Sequence, residues 1–215
     1  MNELDHGNPG AGARRRLAEG LAALDLPAER LEPALWSFVT LLGEWSLAYN
    51  LTAVRDPEEM VTRHVLDSLA IREHVPPGCI ADLGTGAGLP GIPLALALPD
   101  RDFVLVDSVA KKLRFVRHTC RQLGIANVTA VNARIEDYRR ETPFDAVVAR
   151  ALTQTGRLAA LSAPLLRPGG VLLAMAGRDP GTLEAPPGFD TPRVRKVKVP
   201  SLSAERHLIV MRRTG

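Results

Sequence analysis

Apolar residues recur at helical spacing through the first third of the chain and then in short unbroken runs. Over residues 27–49 they fall at Leu31, Leu35, Phe38, Val39, Leu42 and Trp45, the stripe of an amphipathic helix opened by Pro27. A shorter helix is expected over 14–26, preceded by a polar, glycine-rich stretch, 1–12, expected to be a disordered tail. Asn50-Leu51-Thr52 breaks the long helix. Asp56-Pro57-Glu58-Glu59 then supplies an N-cap, a proline at the first helical position and acids in the first turn, predicting a third helix to about residue 73. Val75-Pro76-Pro77-Gly78 reads as a linker, so residues 13–78 are expected to form a helical extension and residues 79–215 the main domain.

Beyond the linker the period changes. Strands are expected at 80–83, 102–106, 128–131, 144–149 and 171–175, alternating with helices at 90–98, at 110–123 (closed by Gly124) and after the fourth strand to about 166. Pro168-Gly169-Gly170 is expected to turn the chain into the fifth strand, and the runs around 194–199 and 207–211 to form an antiparallel edge. Alternating strands and helices predict an α/β fold, a doubly wound, mostly parallel sheet covered on both faces. Such sheets bind ligands at the carboxyl ends of their strands, and Asp82, Asp107, Glu136 and Arg150 all fall at or just beyond expected strand ends.

The first of those ends is the most informative. Asp82-Leu83-Gly84-Thr85-Gly86-Ala87-Gly88 has the form D-x-G-x-G-x-G and leads through Leu89-Pro90-Gly91 into a helix. Glycines at Gly84, Gly86 and Gly88 let a ligand approach bare backbone, and the loop resembles the first motif of class I S-adenosylmethionine (SAM) methyltransferases. Gly86-x-Gly88-x-x-Gly91 also satisfies the dinucleotide fingerprint, so an NAD-binding oxidoreductase is an alternative, as is a tight turn without a ligand. Asp82 favours SAM, whose sulfonium and amino group suit a nearby carboxylate better than a pyrophosphate does. Asp107, 23 residues after Gly84, stands where a ribose-binding acid is expected, or caps the helix that follows.

The net charge of +3 conceals an asymmetry: −5 over residues 1–78 and +8 over the rest. A basic half is compatible with a polyanionic partner or with an ordinary solvated surface. Lys111, Arg114, His118 and Arg121 share one helical face, with Lys111 and Lys112 nearest the expected ligand site and placed for phosphate contact. His64, Asp67 and Ser68 share a face of the third helix, set either for RNA contact or for packing against the glycine loop. Cys79 and Cys120 have no metal-ligand spacing and read as buried reduced thiols; with no signal-peptide core and no membrane-length apolar run, the chain is expected to be cytoplasmic, with no membrane partner and no metal. Arg150 ends the fourth strand and faces the substrate or forms a structural ion pair, with Asp145 the expected partner. The Asn/Asp-Pro-Pro-aromatic motif of amine-methylating enzymes is missing after that strand. Its absence suits a nucleophile that carries no proton, such as guanine N7.

A longer set of residues resembles one family. The segment 45–57, Arg63-His64-Val65-Leu66-Asp67-Ser68, the loop from Asp82 to Pro93, Asp107-Ser108 with Lys111-Lys112, Phe144-Asp145 with Arg150-Ala151, and Glu205-Arg206-His207-Leu208 together resemble the RsmG (GidB) family of 16S rRNA guanine-N7 methyltransferases. The resemblance implies a Rossmann-like methyltransferase domain with a helical extension, SAM as methyl donor, and a guanine of small-subunit RNA, free or in an assembling subunit, as acceptor. It places SAM-binding positions at Gly84, Leu89, Ile135, Glu136 and Arg150; the place of Arg150 at its strand end, with a donor for guanine O6, makes it the expected catalytic residue as well. Family members carry Lys-Gly after the fifth strand where this chain has Ala176-Gly177, and Arg178 is expected to supply the missing cation to RNA. A non-catalytic SAM- or RNA-binding module is the remaining alternative.

Overall fold

A computed structural model of the chain describes residues 9–150 and 154–215. Helices α1 (Pro9–Ala23) and α2 (Ala28–Tyr49) are followed by α3 (Pro57–Met60), a π-helical turn (Val61–Leu66) and α4 (Asp67–Leu69). The alternating part contains β1 (Cys79–Leu83), α5 (Gly91–Ala97), β2 (Asp102–Asp107), α6 (Ala110–Leu123), β3 (Val128–Asn132), β4 (Phe144–Arg150), α7 (Thr155–Ser162), β5 (Leu166–Ala176), β6 (Arg193–Lys196) and β7 (His207–Arg212). The seven strands form one sheet in the order β3-β2-β1-β4-β5-β7-β6. Neighbours from β3 to β5 are parallel, and β7 runs antiparallel to both β5 and β6. The order reverses between β1 and β4, and it is outside the carboxyl ends at such a reversal that open α/β sheets form a ligand crevice.

Alternation along the strands explains the two-sided core. Ile80, Phe103, Leu105, Ala146 and Val148 point to one face, where they join Leu35, Phe38, Leu42 and Phe115. Ala81, Leu83, Val104, Val106 and Val147 point to the other, covered by Leu158 and Ala159 of α7. A sheet buried on both faces needs unbroken apolar strands, which is how β1, β2 and β4 read.

Four differences from the sequence-based expectation stand out. The tail expected over 1–12 is helical from Pro9, while residues 1–8 lie outside the described residues. The small residues of α1 are contact points rather than signs of disorder: Ala13 is fully buried, and Cβ atoms at Gly12 and Gly20 would collide with Glu58 and Leu66. The third helix runs without a break from Pro57 but takes a π-helical turn over Val61–Leu66 and ends at Leu69, short of residue 73. Strand β5 begins at Leu166 rather than residue 171: Pro168-Gly169-Gly170 lies within it as a bulge, Phe144 pairing with Leu166 and Ala146 with Val171. Asp145 binds Arg167 at 2.7 Å and the Cys79 amide, leaving Arg150 to find another partner.

Candidate functional site

The glycine loop is held from below by Asp82. Its Oδ2 accepts from the Thr85 hydroxyl at 2.6 Å and the Gly91 amide at 2.8 Å. Oδ1 is buried with no hydrogen-bond partner among the described residues, and burial pushes the carboxyl up to about 6, against the pull of Thr85, Gly91 and Arg150. An ionised group in that position calls for a cation above it. The amide at the start of α5, which would serve a pyrophosphate, is already taken by this carboxylate, so the loop does not offer the dinucleotide geometry. Gly86 has φ of +59°, and a Cβ there would meet nothing nearer than the Gly84 carbonyl at 4.0 Å: it would enter open space above the loop. Gly88 and Leu89 also serve packing. A Cβ on Gly88 would strike Ile92, and Leu89 is buried in the core.

Asp107, at the end of β2, accepts from the Gly86 amide at 2.9 Å with Oδ2 and from the Val109 amide at 2.8 Å with Oδ1. It therefore ties the loop to Val109, the residue that precedes α6, and each oxygen keeps a second lone pair. A cleft of about 450 Å³ opens beside it, lined by Gly84, Asp107, Lys112, Ile135, Glu136 and Arg150 among others. Ile135 and Glu136 lie on a short 3-10 turn after β3, Glu136 paired with Arg157 at 3.3 Å. Lys112 faces this cleft; Lys111 is exposed outside it.

A second cavity, of about 740 Å³, adjoins the first, and Arg150 lines both. Its walls come from the segment between α2 and α4 (Val54, Arg55, Glu59, Arg63, His64, Asp67), from the end of β5 (Met175, Ala176, Gly177) and from Arg206. Four arginines face two carboxylates there. The π turn carries Arg63 and His64, a placement such turns often have at sites. The Arg63 carbonyl accepts from Arg150 Nη1 at 3.1 Å and from His64 Nδ1 at 3.0 Å. That contact fixes the tautomer: Nδ1 holds the proton, and Nε2 accepts from the Thr52 hydroxyl at 2.8 Å. Burial, reinforced by Arg150, lowers the ring to about 4, so His64 is a neutral, fully bonded wall residue.

Asp67 joins the site together. Buried on α4, it takes Arg206 Nε on Oδ1 at 2.9 Å and Arg150 Nη1 on Oδ2 at 3.6 Å. Burial raises its carboxyl above the usual range while the two arginines pull it down. Arg150 thus pairs with Asp67, not Asp145. Arg178 is exposed and absent from the cavity wall; the cation beside Gly177 is Arg206, whose Nη1 lies 4.0 Å from where a Gly177 Cβ would stand. Sequence reasoning singled out Asp67 but not Arg206, whose only signal was the Glu205-Arg206-His207 block.

The basic stripe of α6 is not uniformly free. His118 packs on Trp45 with ring centroids 5.0 Å apart, and Arg114 lies over Tyr49. Both cysteines are free and half-buried, Cys120 pushed up to about 11 by burial. Among the described residues no helix is long and apolar enough to cross a membrane, and no cluster of three metal-ligating side chains occurs.

Residues 32–209 match the family profile of GidB, described as rRNA small subunit methyltransferase G. The chain belongs to this family. Its members are SAM-dependent rRNA methyltransferases. Among family relatives, the "Ribosomal RNA small subunit methyltransferase G" of Stenotrophomonas maltophilia strain K279a is 46% identical over 203 residues, covering 94% of this chain and 95% of that protein. The protein of the same description from Xanthomonas campestris pv. campestris strain 8004 is 47% identical over 197 residues, covering 91% and 92%. Solved structures share the class I methyltransferase fold at lower identity. TrmN from Thermus thermophilus has a TM-score of 0.53 at 22% identity, covering 71% of this chain and 53% of that one. P. horikoshii TYW2, in complex with MeSAdo, has 0.54 at 13%, covering 69% and 62%.

Proposed function

We propose that the chain transfers the methyl group of SAM to N7 of a guanine in small-subunit ribosomal RNA. The observation that carries this reading is Arg150 standing in the wall shared by two adjoining cavities, one suited to the donor and one to the acceptor. The donor cleft fits SAM on three counts: the open space above Gly86, the unpartnered Oδ1 of Asp82 beneath the loop, and the second lone pairs of Asp107 turned to ribose hydroxyls. Ile135 would pack on adenine and Glu136 would accept from its amino group. Bound there, SAM supplies a methyl carbon activated by a cationic sulfur. In this reading residues 79–215 hold the donor, and the helical extension 13–78 contributes most of the acceptor wall.

The acceptor cavity favours a nucleophile that arrives without a proton. His64 has both ring nitrogens engaged and Asp67 has both oxygens paired with arginines, so neither is poised as a base. Guanine N7 needs none. The work left to the residues is placement: Arg150 donates toward guanine O6, while Arg55, Arg63 and Arg206 neutralise flanking phosphates. Lys112 adds a cation at the mouth of the donor cleft. Incubating the protein with SAM and unmodified small-subunit RNA should yield 7-methylguanosine by nucleoside mass spectrometry. Appearance of N6-methyladenosine or 5-methylcytosine in its place would overturn the assignment.

A further inference from the structure

We propose that Glu59 selects guanine by accepting hydrogen bonds from its N1–H and N2 amino group, an inference that rests on the guanine-N7 reading above. Adenine and guanine both carry N7, so attack from N7 does not by itself distinguish them. An arginine fork across O6 and N7 would discriminate, but it would also occupy the lone pair that must reach the methyl carbon. A donor from Arg150 to O6 alone leaves N7 free and reads one side of the base, and the edge far from N7 offers a second, independent means of selection. Guanine presents two adjacent donors on the edge far from N7, where adenine presents an acceptor that a carboxylate repels.

The acceptor cavity has two carboxylates, and only one is available. Asp67 is buried with both oxygens bound to arginines. Glu59 has a side chain 53% exposed; its Oε2 meets Arg63 at 3.4 Å and its Oε1 takes no hydrogen bond among the described residues. An exposed i, i+4 pair of this kind is worth only about 0.3–0.5 kcal/mol, so releasing Oε2 to a base costs little. The placement also fits. Glu59 lies four residues before Arg63, whose carbonyl receives Arg150 Nη1, and all three residues line the same cavity. A guanine held with N7 toward Arg150 and the donor cleft turns its N1 and N2 edge away from them, toward the rest of the wall to which Glu59 belongs.

The test compares small-subunit RNA carrying guanosine or inosine at the position that the wild-type protein methylates, built by splinted ligation. Inosine keeps N7, O6 and N1–H and lacks only the N2 amino group. Wild type should turn over the inosine substrate with kcat/KM lower by about ten- to hundred-fold, the loss of a hydrogen bond to a charged group. In Glu59→Ala, which removes the acceptor altogether, the guanosine substrate should fall toward the inosine level, bringing the ratio close to one, with SAM affinity by calorimetry unchanged as the check on folding. Formation of 7-methylguanosine with the guanosine-to-inosine ratio intact in Glu59→Ala would overturn this inference alone. Methylation by wild type at any other atom would overturn the guanine-N7 reading and this inference with it.

Discussion

Asp82 should make SAM binding pH-dependent in a window where few other groups of the cleft titrate. Its carboxyl moves from an ordinary 3.8 to about 6, chiefly through burial. Roughly two units at about 1.4 kcal/mol each put the cost of keeping Asp82 ionised near 3 kcal/mol in the ligand-free protein. Because the folded value is raised, stability is highest below the unfolded value of 3.8 and falls as pH rises through about 6. A cationic ligand over the loop offsets that cost and returns the carboxyl toward its ordinary value. Binding and ionisation are then linked, and SAM affinity should drop about tenfold between pH 7 and pH 5. His64, lowered to about 4, and Glu136, held below the usual range by hydrogen bonds and Arg157, stay in one state across that window. Asp82→Asn keeps an acceptor for Thr85 and Gly91 but places an amide donor where Oδ1 has no partner. That unpaired donor costs about 1–3 kcal/mol, so ligand-free stability above pH 6 should change by roughly 0 to +2 kcal/mol while the pH dependence of binding disappears. Calorimetric titration with SAM at pH 5, 6, 7 and 7.5 for both proteins measures this. Equal wild-type affinity at pH 5 and 7.5, or the same loss in Asp82→Asn, would refute the coupling.

Other substitutions separate packing from binding. Gly86→Val should leave the chain folded, since its Cβ enters open space, yet abolish SAM binding; its positive φ adds about 1–2 kcal/mol of strain visible in a melt. Arg206→Ala should reduce RNA affinity and turnover by about tenfold and flatten the salt dependence of binding, with SAM affinity retained, whereas Arg178→Ala, outside the cavity wall, should change either by less than about threefold. Filter binding across a salt series decides between them. Gly20→Ala sets helix propensity, which favours Ala by about 1 kcal/mol, against a methyl driven into Leu66; the collision should win and destabilise by about 1–3 kcal/mol in urea, and a net stabilisation would show that α1 shifts freely.

The class of fold was written in local pattern. Short apolar runs in β1, β2 and β4, with a glycine-dense turn after the first, dictate a parallel sheet with its binding crevice at strand ends. The cleft proposed for the donor was equally legible in place, because its residues sit in one loop or at strand ends: Asp82 to Gly91 is continuous, and Asp107 and Arg150 close their own strands. The boundaries failed where a distant partner overrode local propensity. The stretch around Gly12 read as disorder because its missing Cβ matters only once Glu58 lies against it, and Pro168-Gly169-Gly170 read as a turn into the strand because a bulge depends on its neighbour β4. The acceptor cavity was hidden for the same reason. Its centre is a carboxylate on α4 bridging an arginine from β4 and another 139 residues downstream, just before β7. No periodicity or spacing connects Asp67 to Arg206. Only the antiparallel insertion of β7 beside β5, which sets Ala176 opposite His207, brings that arginine to the mouth of the sheet. Sequence by itself determined which residues could hold a methyl donor; the tertiary structure decided which charges face one another across the space beside it, because ion pairing follows distance in the fold and not distance along the chain.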